Sequence, residues 1–170
     1  MIGVPHPLVL GLFSTPSMAA DAAGALHALG IPRESISVVA HTHDDAQKLA
    51  DRMDAKAGVD LEDSRPAGFL GELGGRVLAT VALVMPGIGP IVAAGPLAAE
   101  LGEIAGHVAG GLGSVLASAG VPRERADALQ REVARGAVLL GAHVAASDVD
   151  RVRDSLRAAG ATGIETLTWP

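Results

Sequence analysis

Apolar and polar positions along the chain switch between two periods, and the switches mark its elements. Leu8 to Phe13 is an unbroken apolar run behind Pro5 and Pro7, which predicts a buried strand. Met18, Ala22, Leu26 and Leu29 then recur at helical spacing, opened by the hydroxyls of Ser14 to Ser17 and closed by Gly30. From Ile36 to His41 the period falls to two, with Ile36, Val38 and Ala40 alternating with Ser37, Val39 and His41, so a second strand is predicted. A helix is expected from Asp44 to Lys56, with Ala46, Leu49, Ala50 and Met53 on one face, followed by a polar linker from Ala57 to Ser64. Toward the other end, Ala126, Leu129 and Val133 form one stripe of a helix over Glu124 to Arg135. Val138 to Val144 reads as a strand. Val149, Val152, Leu156 and Ala159 line a helix capped by Ser147 and ended by Gly160, and Ile164 to Trp169 reads as a final strand.

Between these ends lies Arg65 to Ala119, nearly uncharged at its centre and dense in glycine. Pro86-Gly87-Ile88-Gly89-Pro90 removes two backbone donors and permits positive φ, so a single helix through this point is excluded. The stretch predicts a hairpin of two small-residue helices over 66–118, with its tip at Ile88. Gly102, Gly106 and Gly110 recur every fourth residue in the second arm, and Gly71 and Gly75 do so in the first. Each interior glycine costs roughly 1 kcal/mol relative to alanine, so such a groove calls for a close helix contact, within the hairpin or with another chain. A membrane span does not fit. Each uncharged arm, Val77 to Met85 and Ile91 to Ala99, extends only about 14 Å as a helix, roughly half of a hydrocarbon core of about 30 Å.

An internal repeat fixes the expected topology. At an offset of 130 positions, Leu10-Gly11 aligns with Leu140-Gly141, Leu26 with Leu156, and Gly30 with Gly160. Two β-α-β units of this kind predict an α+β, ferredoxin-like split β-α-β fold: a four-stranded antiparallel sheet with two helices on one face. Residues 1–43 and 136–170 would be the two halves of a single domain, and 44–135 a helical insertion between them. The same alignment places Leu8, Leu10 and Leu12 with Val138, Leu140 and Ala142 under the helices. The other face would then carry Val9, Gly11, Phe13, Leu139, Gly141 and His143, an apolar patch for the hairpin or a second copy to cover.

Composition narrows the function classes. The 170 residues are 49% hydrophobic but only 2% aromatic, so the core must be built from small aliphatic side chains. A net charge of −6 argues against a nucleic-acid partner, because phosphate binding needs a basic surface. The absence of cysteine excludes disulfides, thiol catalysis and zinc-thiolate sites, and fits a cytoplasmic location. No Lys or Arg precedes Arg33, so the apolar start lacks the basic region of a signal peptide. His41, His43 and His143 are the candidate metal ligands: parity puts His41 and His143 on one face if their strands are neighbours. Glu103 and His107 form an i,i+4 pair without a third partner. The Gly-Ile-Gly-Pro turn lacks the lysine and serine of a phosphate loop, and no serine has nucleophile-elbow context, so neither a cofactor nor a catalytic residue is expected.

Three segments carry a family resemblance: Gly30-Ile-Pro-Arg-Glu-Ser-Ile-Ser-Val-Val39, the centre from Pro86 to Leu97, and Gly120-Val-Pro122 before a strand-helix-strand end. With them the chain resembles, over essentially its whole length, the bacterial general stress proteins with a heat-induced stress protein (YflT-like) domain. That resemblance implies a non-enzymatic, stress-associated cytoplasmic protein of undefined activity. With the glycine pattern, the expectation is self-assembly, first as a dimer, through Gly71, Gly75, Gly102, Gly106, Gly110, Gly11, Gly141 and Phe13. The alternatives are a small-molecule or metal sensor of ferredoxin-like fold, and a peripheral membrane protein inserting the tip at Pro86 to Pro90.

Overall fold

A computed structural model of the chain describes residues 4–41, 81–85, 89–104 and 111–169. The helix expected over Asp44 to Lys56, the linker after it, and His43, Gly71, Gly75, Gly106, His107 and Gly110 lie outside the described residues. So does the expected tip at Ile88.

Strand β1 (His6–Phe13) leads into helix α1 (Pro16–Ala28), and a 3-10 turn at Arg33–Ser35 leads into β2 (Ile36–His41). Strands β3 (Val81–Met85) and β4 (Gly89–Ala94) precede helices α2 (Pro96–Ile104), α3 (Leu112–Ser118) and α4 (Arg123–Ala134). The chain closes with β5 (Val138–His143), a 3-10 turn at Ala146–Asp148, helix α5 (Val149–Ala158) and β6 (Thr162–Trp169). The class is α+β. All five ladders are antiparallel, and the described strands form one six-stranded sheet in the order β3-β4-β2-β5-β1-β6.

The helix ends follow from the residues named in the sequence. Thr15 Oγ1 accepts the amide of Met18 at 3.2 Å at the start of α1, with Pro16 in its first turn. Its end turns on Gly30 at φ +90°, where the amide of Ile31 reaches back to the carbonyl of Leu26. The aligned Gly160 ends α5 in the same way, with Ala161 bonded to Leu156.

Two expectations are corrected. The segment expected as a helical hairpin contributes strands at 81–85 and 89–94, so the sheet has six strands rather than four. Val81, Val84, Ile91 and Val92 are β-branched, and two short apolar runs around a Pro-Gly turn satisfy a strand hairpin as well as a helical one. The reversal still falls where the prolines put it, between Met85 and its ladder partner Gly89. Pro90 pairs with Val84 just outside the β2–β4 ladder, which begins at Ile91, so its missing N–H leaves no gap there.

The second correction concerns the faces. The β1–β5 ladder pairs Leu8 with His143, Leu10 with Gly141 and Leu12 with Leu139, so these six residues share one face. Val9, Gly11 and Phe13 share the other with Ala142, Leu140 and Val138. The repeat misassigned them because an offset of 130 aligns residues of like parity, whereas the ladder pairs odd residues of β1 with even residues of β5 on the face that α1 and α5 cover.

Both faces are covered by the chain itself. Leu8, Leu10, Leu12 and Leu139 pack with Leu97, Leu101, Leu112, Leu116 and Leu129 of α2, α3 and α4. Val9, Phe13, Val138 and Leu140 pack with Ala19, Ala22 and Leu26 of α1 and Val152 and Leu156 of α5. Each fully buried leucine contributes on the order of 2 kcal/mol, so the helices after β4 are part of the core. Phe13, Gly11 and Gly141, expected on an assembly surface, are therefore enclosed: a Cβ on Gly11 would sit 3.1 Å from that of Ala161, and one on Gly141 3.0 Å from Leu8 and Leu10. Gly102 lies within α2.

Candidate functional site

Among the described residues, Ser37 and His143 are the buried polar side chains, and they meet. Ser37 lies on β2 opposite Gly141, so no side chain from that position stands between it and His143, two residues along β5 on the same face. His6 approaches from the start of β1. The pairing of Leu8 with His143 brings that end of β1 level with the end of β5, and His6 shares the face of Leu8.

These three side chains form a continuous hydrogen-bonded line. His6 Nε2 is 3.0 Å from His143 Nδ1, and His143 Nε2 is 2.9 Å from Ser37 Oγ. Backbone groups close both ends: Leu97 N–H donates to Ser37 Oγ at 3.0 Å, and His6 Nδ1 lies 3.0 Å from the carbonyl of Val4. The end groups fix the proton positions. A carbonyl only accepts, so His6 carries its proton on Nδ1 and its Nε2 accepts from His143 Nδ1–H. An amide only donates, so Ser37 accepts from Leu97 and passes its own proton to His143 Nε2. Every member then donates once and accepts once.

Leu97 is brought to Ser37 by Gly95. This residue has φ +79°, and a Cβ there would lie 2.2 Å from the carbonyl oxygen of Ile36, so only glycine lets the β4–α2 connection pass so close to β2. The Trp169 and His143 rings meet edge to face, 5.5 Å between centroids at 83°. Burial, and then the neighbouring His6, push the His143 pKa from 6.5 down to about 4, so this imidazole is neutral at pH 7.

The line opens on a cleft of about 400 Å³ bordered by His6, Ile31, Pro32, Ser35, Val144 and Asp148. It lies where the Gly30 turn and the β5–α5 connection meet. Asp148 is held by Arg151 at 3.1 Å.

The expected metal triad does not form. His41 and His143 share a face as parity required, but β2 and β5 run antiparallel with Ile36 opposite Ala142. That register puts the two histidines at opposite ends of the ladder, roughly 20 Å apart at about 3.4 Å per residue. Among the described residues no group of three or more potential ligands is arranged to hold a metal ion. His6 and Ser37 were not singled out in the sequence. Their signal is parity combined with antiparallel register: residues of even number on β1, and of odd number on β2, meet residues of odd number on β5. Among the described residues no helix is long and apolar enough to cross a membrane. Comparison of the chain with protein-family models, with curated proteins and with solved structures finds no match.

Proposed function

We propose that this protein is a non-enzymatic, stress-associated cytoplasmic module that binds a small ligand in the cleft beside His6 and His143. Its core is read as ferredoxin-like: β1, β2, β5 and β6 stand in the order β2-β5-β1-β6 with α1 and α5 on one face, and β3, β4 and three helices are added to that plan. The observation that carries the binding reading is the convergence of a neutral, buried imidazole and a second, half-buried one on an open cleft. A catalytic reading of the same residues has less support. Ser37 is 0% exposed and cannot reach a substrate, and its oxygen is engaged by both Leu97 and His143.

The test is an amide chemical-shift titration with small carboxylates, inorganic phosphate and nucleosides. Shifts confined to Ile31, Ser35, Val144 and Asp148 are expected for one of these classes. Shifts scattered over the surface, or none with any class at millimolar concentration, would refute the cleft reading.

Self-assembly is the second reading, and β3 favours it. Among the described strands β3 is an edge, and Val-Ala-Leu-Val-Met carries no charge to discourage pairing with another edge. β6, at the opposite edge, carries Glu165 and three threonines. A discrete dimer in light scattering without detergent supports this reading; a monomer at all concentrations removes it.

A further inference from the structure

We propose that the line Val4–His6–His143–Ser37–Leu97 is a relay with two hydrogen-bond polarities, and that protonation of His6 at the cleft reverses its two inner bonds, His6–His143 and His143–Ser37, and alters the bond holding the first turn of α2. The inference takes the cleft as the receiving end but needs no ligand, so it stands or falls apart from the binding reading.

In the neutral state every bond points one way, from the Leu97 amide to the Val4 carbonyl. When His6 takes a proton from solvent, both its ring nitrogens become donors. Its Nε2–H then faces His143 Nδ1, which already carries a proton at a 3.0 Å separation. Two donors cannot share that contact. His143 resists becoming a second cation because it is buried, paired across the ladder with Leu8 and packed against Trp169. The arrangement that restores the bond keeps His143 neutral and moves its single proton from Nδ1 to Nε2. One proton has entered, His6 is an imidazolium, and the His143 tautomer has inverted.

The change then reaches Ser37. His143 Nε2–H now donates to Ser37 Oγ, which also accepts from Leu97 N–H, so both lone pairs of the hydroxyl are used and its proton loses its acceptor. The Leu97 bond must share an oxygen that previously served it alone. Leu97 is the second residue of α2, and the turn before it is fixed by Gly95, so the strain falls on a short, well-defined connection. Among the described residues, the titratable groups around His6 are His143 from β5 and Asp148 across the cleft, which Arg151 of α5 neutralises in part. On the 3-10 turn bordering the same cleft, Arg33 and Glu34 pair with each other at 3.6 Å.

Imidazole nitrogen spectra of the full chain, recorded with His6 neutral and again after added acid has protonated it, test this directly. His143 should carry its proton on Nδ1 while His6 is neutral and on Nε2 once His6 is protonated. The Leu97 amide resonance should move in step with the His6 ring. That movement should vanish in Ser37→Ala, which removes the linking hydroxyl, and in His6→Gln, which bonds but does not titrate and alters only a half-buried side chain. A His143 tautomer unchanged while His6 titrates would overturn the relay. So would a Leu97 response that survives in His6→Gln.

Discussion

Acid should destabilise this protein through one residue, and the loss can be worked from the structure. In the folded chain His143 is held neutral, its pKa lowered from 6.5 to about 4 first by burial and then by His6. In the unfolded chain it titrates normally. Between these values the unfolded state binds more protons, so folding stability must fall as pH falls. The contribution is complete above about pH 6.5, is about 2 kcal/mol smaller by pH 5, and is roughly 3 kcal/mol smaller by pH 4, at about 1.36 kcal/mol per pH unit. Urea unfolding at a series of pH values measures it, and His143→Gln supplies the reference, since glutamine keeps a donor and an acceptor without titrating. The two proteins differ at this one position, so the difference between the two curves reports the His143 site. A parent and variant whose stabilities run parallel from pH 7 to pH 4 would refute the assignment of His143 as a buried neutral base.

Ser37→Ala leaves the Leu97 amide and His143 Nε2 without partners in the interior and should lower stability by about 1–3 kcal/mol in the same unfolding assay. Gly95→Ala forces a Cβ against the Ile36 carbonyl in a left-handed backbone conformation; a loss of more than about 3 kcal/mol, or no folded protein by circular dichroism, is expected. Leu10→Ala opens a cavity beside Gly141 and should cost about 2–5 kcal/mol by thermal unfolding, with Leu156→Ala, on the opposite face, costing a similar amount.

The parts of the fold that local chemistry determines were legible in the sequence. Ile36–His41 emerges with the bounds its alternation indicates, and α1 and α5 stop at the glycines that the repeat aligned. The centre was not, because glycine spacing points to helix while β-branched content points to strand, and in runs as short as Val81–Met85 pairing with a neighbour decides between them. Face assignment failed on the register of β1 against β5, which no local pattern reports. The candidate site was half legible. His143 stood out on its strand, but its partners His6 and Ser37 are 137 and 106 positions away, and only the register of two ladders brings them to it.

The place of β1 in the sheet has a consequence for how the chain is made. Its two neighbours are β5 and β6, so both of its edges wait for residues from 138 onward. At about 5–20 residues per second, synthesis of the intervening chain takes roughly 6–25 s. Through that interval β1, apolar from Leu8 to Phe13 with only Gly11 between, lacks both of its ladder partners. Its second edge closes only when β6 has been made. Pairings between residues so far apart in sequence form slowly, and of the described strands β1 depends on them along both edges.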